Sequence, residues 1–68
     1  MLQDAKLDIA YKQLGLTRDA VEDDVKSAFR KLARECHPDV SHLPKEEAEH
    51  RFRAIIEAYT YIRTTNGW

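Results

Sequence analysis

Two stretches of this chain carry side chains suited to recognition or chemistry. The first is His37-Pro38-Asp39, an imidazole and a carboxylate flanking a proline. Pro38 cannot continue a helix and biases His37 away from helical backbone, so the tripeptide is expected just past a helix end with His37 extended. Asp39 follows a fixed φ and is expected to fold back on local backbone N–H groups. Two polar groups held in defined directions favour binding, because little ordering remains to be done at association. The second stretch is Lys26, Arg30 and Arg34, spaced i, i+4, i+8 and so on one helical face. The chain has 11 Lys and Arg against 12 Asp and Glu, a net charge of -1, so this stripe is a local positive patch. It would attract an acidic partner and speed the encounter. Plainer roles compete at each position. His37 could cap carbonyls, Pro38 could only stop a helix, Asp39 could only close a turn, and the charged face could simply be solvated.

Catalysis and metal binding find less support. Cys36, His37, Asp39, His42 and His50 are the candidates. Cys36 and His37 are adjacent, and adjacent helical positions do not face each other, so a thiol–imidazole pair is hard to form. The spacing fits no standard zinc pattern. The expectation is a non-enzyme with no catalytic residue, no metal and no cofactor, and with Cys36 as a small buried apolar residue. A single cysteine allows no internal disulfide and suits a reducing compartment, the cytoplasm or another. No apolar run nears the ~18 residues that span a bilayer, and Met1–Lys6 lacks the apolar stretch of a signal peptide. The balanced charge argues against a general nucleic-acid binder.

The elements that must position these residues are helices. The 68 residues make one domain, with 43% hydrophobic and 34% charged residues, as in a solvated globule. A chain this short buries only ~60% of its unfolded surface, so the core is thin and a deep active site is not expected. Glycine and proline, at Gly15, Pro38, Pro44 and Gly67, punctuate three helical segments. The first spans about Lys6–Leu14, with Leu7, Tyr11 and Leu14 on one face and Gly15 as its stop. The second spans about Glu22–Cys36, with Val25, Phe29, Leu32 and Cys36 as its apolar stripe. Its acidic first turn and basic last turns suit the helix dipole, but Val21 is a poor N-cap, and Asp19 or Thr17 could serve instead. The third spans about Pro44–Thr64, with Pro44 in the first helical position and Ala48, Phe52, Ile55, Tyr59 and Ile62 as its stripe. Glu47–Arg51 and Glu49–Arg53 are i,i+4 pairs, each worth ~0.2–0.5 kcal/mol. Phe29, Phe52 and Tyr59 are expected in the core. The short link His37–Leu43 makes the second and third helices antiparallel neighbours. The expected fold is all-α: a short helix packed on a long antiparallel hairpin with the tripeptide at its tip.

Four blocks, in order and at consistent spacing, carry a specific resemblance. They are Tyr11-x-x-Leu14-Gly15-Leu16, then Val25-Lys26-Ser27-Ala28-Phe29-Arg30-Lys31-Leu32-Ala33, then His37-Pro38-Asp39, then Arg51-Phe52-Arg53-x-Ile55-x-Glu57-Ala58-Tyr59. Together they resemble the J-domain that defines the DnaJ-like co-chaperones. The similarity is best over residues 9–62, and residues 1–68 would form a single such domain, compatible with being part of a longer chain. The resemblance implies the hairpin fold, with a fourth helix short or absent. It implies a monomer that binds a DnaK-type heat-shock ATPase and stimulates its ATP hydrolysis. The implied partner-binding residues are His37, Pro38 and Asp39, with Lys26, Arg30, Lys31 and Arg34 as the electrostatic face. Cys36 stands where the family usually has a large aromatic.

Two other functions compete. One is a J-like docking or assembly module within a larger complex, without chaperone stimulation; it has no need of an intact tripeptide. The other is a helix-turn-helix DNA binder, which wants a turn of about 3–4 residues between steeply crossed helices, shorter than the connections here.

Overall fold

The structure is a computed structural model that describes residues 5–37, 39, 40 and 42–68. Three helices account for most of them: α1 (Ala5–Gln13), α2 (Glu22–Cys36) and α3 (Lys45–Asn66). No strand occurs among the described residues. None of their helices is long and apolar enough to cross a membrane.

Helix ends follow from local chemistry. At Gly15, φ is +71°, the left-handed region where L side chains are strained. Its N–H donates to the Lys12 carbonyl (2.9 Å) and the Leu16 N–H to the Tyr11 carbonyl (2.9 Å). This is the paired closure of a Schellman motif. The same arrangement ends α3: Gly67 has φ +72°, its N–H reaches the Thr64 carbonyl (3.4 Å), and the Trp68 N–H reaches the Arg63 carbonyl (2.9 Å). In each case the residue after the glycine, Leu16 or Trp68, folds back as a half-buried apolar contact on the core. The starts differ from expectation. Pro44 stands just outside α3 as its N-cap (φ -53°, ψ 146°) rather than in the first helical position, and its carbonyl accepts from the Ala48 N–H at 2.9 Å. Val21 is the N-cap of α2 and makes no side-chain cap; nothing from Thr17 or Asp19 replaces it, which leaves the dipole to Glu22, Asp23 and Asp24.

Helix α3 is the spine, because α1 and α2 each pack along it. The pairing with α2 is antiparallel. Phe29 stacks on Tyr59 (centroids 4.2 Å apart, planes 12° apart), while His37, just past the end of α2, meets Phe52, earlier in α3. Leu7, Ala10, Tyr11, Leu14, Val25, Ile55, Ala58 and Ile62 form the buried core, and Val25 and Ile62 are fully enclosed. Phe29, Phe52, Tyr59 and Cys36, all expected inside, are half-buried. Tyr11, between α1 and α3, is the aromatic ring that the core does enclose, whereas Phe29 and Tyr59 lie where α2 and α3 alone meet. Stacking instead lets Phe29 and Tyr59 cover one face each, with about 0.5–1.5 kcal/mol beyond area burial.

Candidate functional site

The core ends before the tip of the hairpin. Among the described residues between His37 and Pro44, none is fully buried. Helix α2 stops at Cys36, and His37 takes extended backbone (φ -61°, ψ 134°). The Val40 N–H donates to the His37 carbonyl at 3.0 Å, which closes a turn over residues 37–40. Asp in the third place of such a turn is a favoured residue type. Pro38 itself, the middle of the predicted tripeptide, lies outside the described residues.

Inside this turn the imidazole has a defined job. The Asp39 N–H donates to His37 Nδ1 at 3.2 Å. A nitrogen that accepts carries no proton, so this bond belongs to the neutral ring protonated at Nε2. The Nε2–H then remains as a donor. The Asp39 carboxylate stands 3.8 Å from the same Nδ1, an ion pair only when the ring is doubly protonated. Asp39 was expected to fold its side chain onto local backbone N–H groups. Instead its N–H is the group that is held, and its carboxylate is 88% exposed. The His37 side chain is 48% exposed, and its ring meets Phe52 edge-on at 5.5 Å. Phe52 thus fixes one side of the imidazole from α3, a contact that no local spacing in the sequence announces.

The basic face runs from the middle of α2 to this tip. Arg30, Lys31 and Arg34 are exposed, and Lys26 is half-buried. Lys26 Nζ lies 3.3 Å from Glu22 Oε2, one turn earlier, so part of its charge is locally offset. That exposed pair is worth only about 0.3–0.5 kcal/mol. Lys31 lies three residues before Arg34, close enough on a helix to share its field. Cys36 is a free, half-buried thiol. Among the described residues no group of three or more His, Cys, Asp or Glu side chains is placed to hold a metal ion.

The far end of the molecule holds polar contacts that join distant parts of the chain. Arg18 Nη1 meets Asp8 Oδ1 at 2.9 Å. The Asn66 side-chain amide donates to the Tyr11 hydroxyl (3.2 Å) and to the Ile62 carbonyl (2.8 Å). Lys6 Nζ sits over the Tyr61 ring, 4.9 Å from its centroid.

Comparison with known proteins adds a family to this geometry. The family model described as the DnaJ domain matches residues 9–66. The chain is 53% identical over 52 residues to a protein of Thermoplasma volcanium named "Chaperone protein DnaJ", an alignment covering 76% of the chain and 14% of that relative. It is 49% identical over 49 residues to a protein of the same name from Lactiplantibacillus plantarum, covering 72% of the chain and 12% of the relative. It is 49% identical over 53 residues to a Coxiella burnetii protein named "Curved DNA-binding protein", covering 78% of the chain and 16% of the relative. The chain therefore spans a small part of the curated relatives it matches. No solved structure matches it.

Proposed function

The chain belongs to the DnaJ domain family, and on that premise we propose that residues 1–68 act as one co-chaperone module, which binds a DnaK-type heat-shock ATPase and stimulates its ATP hydrolysis. The contact surface is the His37-Pro38-Asp39 tip with the adjoining face of Lys26, Arg30, Lys31 and Arg34. The single observation that carries this reading is the display of the tip. An imidazole and a carboxylate stand exposed at the end of the hairpin, and the ring is held by the Asp39 N–H and by Phe52. Neither group is consumed by the domain's own core.

The module performs no chemistry of its own in this scheme. It binds one state of the partner's ATPase cycle better than another and shifts the cycle by that difference. The basic face governs encounter and its salt dependence. The held tip, offering a donor at Nε2 and an acceptor at Asp39, governs the activating step.

The test is the steady-state ATPase rate of a DnaK-type chaperone with and without the domain, repeated with His37→Gln. The expected result is stimulation by the unmodified domain and loss of at least about tenfold of it in the variant, with helicity unchanged; one lost charge-assisted or shape-critical contact is enough for that factor. A domain that binds the chaperone without raising the rate points to a docking module instead.

A further inference from the structure

A hollow of about 570 Å³ opens beside the tip, between the last turn of α2 and the residues that follow the turn. Arg34, Glu35, Val40, His42 and Leu43 line it. Resting on the reading just given, we propose that this hollow sets partner specificity by receiving an aliphatic side chain of the ATPase that has a carboxylate next to it.

The apolar half of the argument is Val40 with Leu43. A lone exposed valine on a small protein needs no explanation. Val40, however, is 58% exposed and shares a concave wall with the half-buried Leu43. Its position is also fixed, because its N–H is tied to the His37 carbonyl at 3.0 Å. Any partner that engages the imidazole therefore meets the valine in a set register. Covering an aliphatic wall with an aliphatic side chain removes apolar surface from water on both sides.

The charged half is Arg34. It is exposed, and among the described residues no carboxylate lies within ion-pair distance of it. It ends the Lys26–Arg30–Arg34 stripe, so the potential on that rim is positive and a partner carboxylate is drawn there. Glu35, exposed and also lining the hollow, repels a carboxylate that approaches it instead. The hollow thus fixes an orientation, with the acid toward Arg34 and the aliphatic group over Val40 and Leu43. An attractive and a repulsive charge lining one hollow together let a small surface discriminate.

The experiment titrates the domain against a DnaK-type chaperone in ATP, reading the half-saturating concentration and maximal stimulation, with direct binding to the chaperone by biolayer interferometry. Val40→Asp places a charge against an apolar surface and should raise the half-saturating concentration about tenfold with little change in the maximum. Val40→Ile should keep it within about twofold, and Glu35→Gln should lower it about twofold to threefold. Thermal melts by circular dichroism check that each variant folds. A folded Val40→Asp domain that binds within twofold of the unmodified one overturns the proposal, as does tighter binding by that variant. His37→Gln, run in parallel, should lose maximal stimulation and keep most of its binding. Stimulation that survives His37→Gln while Val40→Asp weakens binding refutes the tip mechanism and leaves the hollow standing. No binding by the unmodified domain overturns both.

Discussion

The two ends of the hairpin divide stability from display. At the base, Leu7, Tyr11, Leu14, Val25 and Ile62 close a dry cluster, Trp68 folds back onto it, and Asn66 ties α3 to α1 through the Tyr11 hydroxyl. At the tip, the described residues are half-buried or exposed, and the bonds among His37, Asp39 and Val40 run within the turn itself. The base holds the helices in register by contacts distant in sequence. The tip is shaped by bonds two and three residues apart and by one ring contact with Phe52. A side chain at the tip can therefore change the surface offered to a partner without touching what keeps the domain folded. The price is that the tip's geometry depends on a few local bonds and on Phe52 alone among the rings of α3.

The strongest test of that division is Ile62→Ala. Ile62 is fully enclosed, and truncating it removes transfer energy and leaves a cavity, about 2–5 kcal/mol together. A domain of this size has little to spare, so the expected outcome is a melting temperature lowered by ten degrees or more on the scale of about 4–8 °C per kcal/mol, with helix α1 detached first. A melt unchanged by Ile62→Ala would mean that the base does not carry the fold. A smaller effect at the same end is expected from Asn66→Ala. It removes the donor to Tyr11 and to the Ile62 carbonyl, a loss of about 0.5–1.5 kcal/mol. Paired with Tyr11→Phe in a double-mutant cycle, it should show coupling, since both substitutions break one contact.

The same division explains what the sequence revealed. Helix α2 was legible to the residue, and α1 and α3 to within two residues at each end, because periodicity and the two glycines act locally. The end of α2 and the extended backbone of His37 were legible because a residue before proline is biased away from helix. The turn bond from Val40 and the held Nδ1 of His37 were not, since an Asp that folds its side chain back and an Asp whose N–H is captured share one sequence. The Arg18–Asp8 pair and the Asn66–Tyr11 bond join residues 10 and 55 apart, and no repeat spacing reports such a meeting. No pattern in the sequence reported that Trp68 packs on the core, where the left-handed Gly67 turns it. The aromatic stripe was read as interior because its spacing is that of a buried face. With one neighbour helix on that side, the rings are covered on one face and wet on the other.

The smallest effect concerns the face that links the two ends. Arg30 is exposed midway along α2, with no carboxylate within ion-pair distance among the described residues, whereas Lys26 is tied to Glu22 at 3.3 Å. Arg30→Gln removes one positive charge from the path toward the tip and breaks no ion pair described in the fold. The melting temperature should stay within about 2 °C, because surface substitutions away from caps and cores move stability by no more than about 0.5 kcal/mol. Association with the chaperone should slow by about twofold to fivefold at low salt, the weight of one near-surface charge in water. The difference should fade as ionic strength rises toward the range where the screening length falls to about 3 Å. Glu22→Gln should act in the opposite direction, by releasing Lys26 and removing a negative charge from the same face. Stopped-flow association at two salt concentrations separates these outcomes. Equal rates for Arg30→Gln and the unmodified domain at low salt would show that the basic face is only solvated surface, and that the tip alone meets the partner.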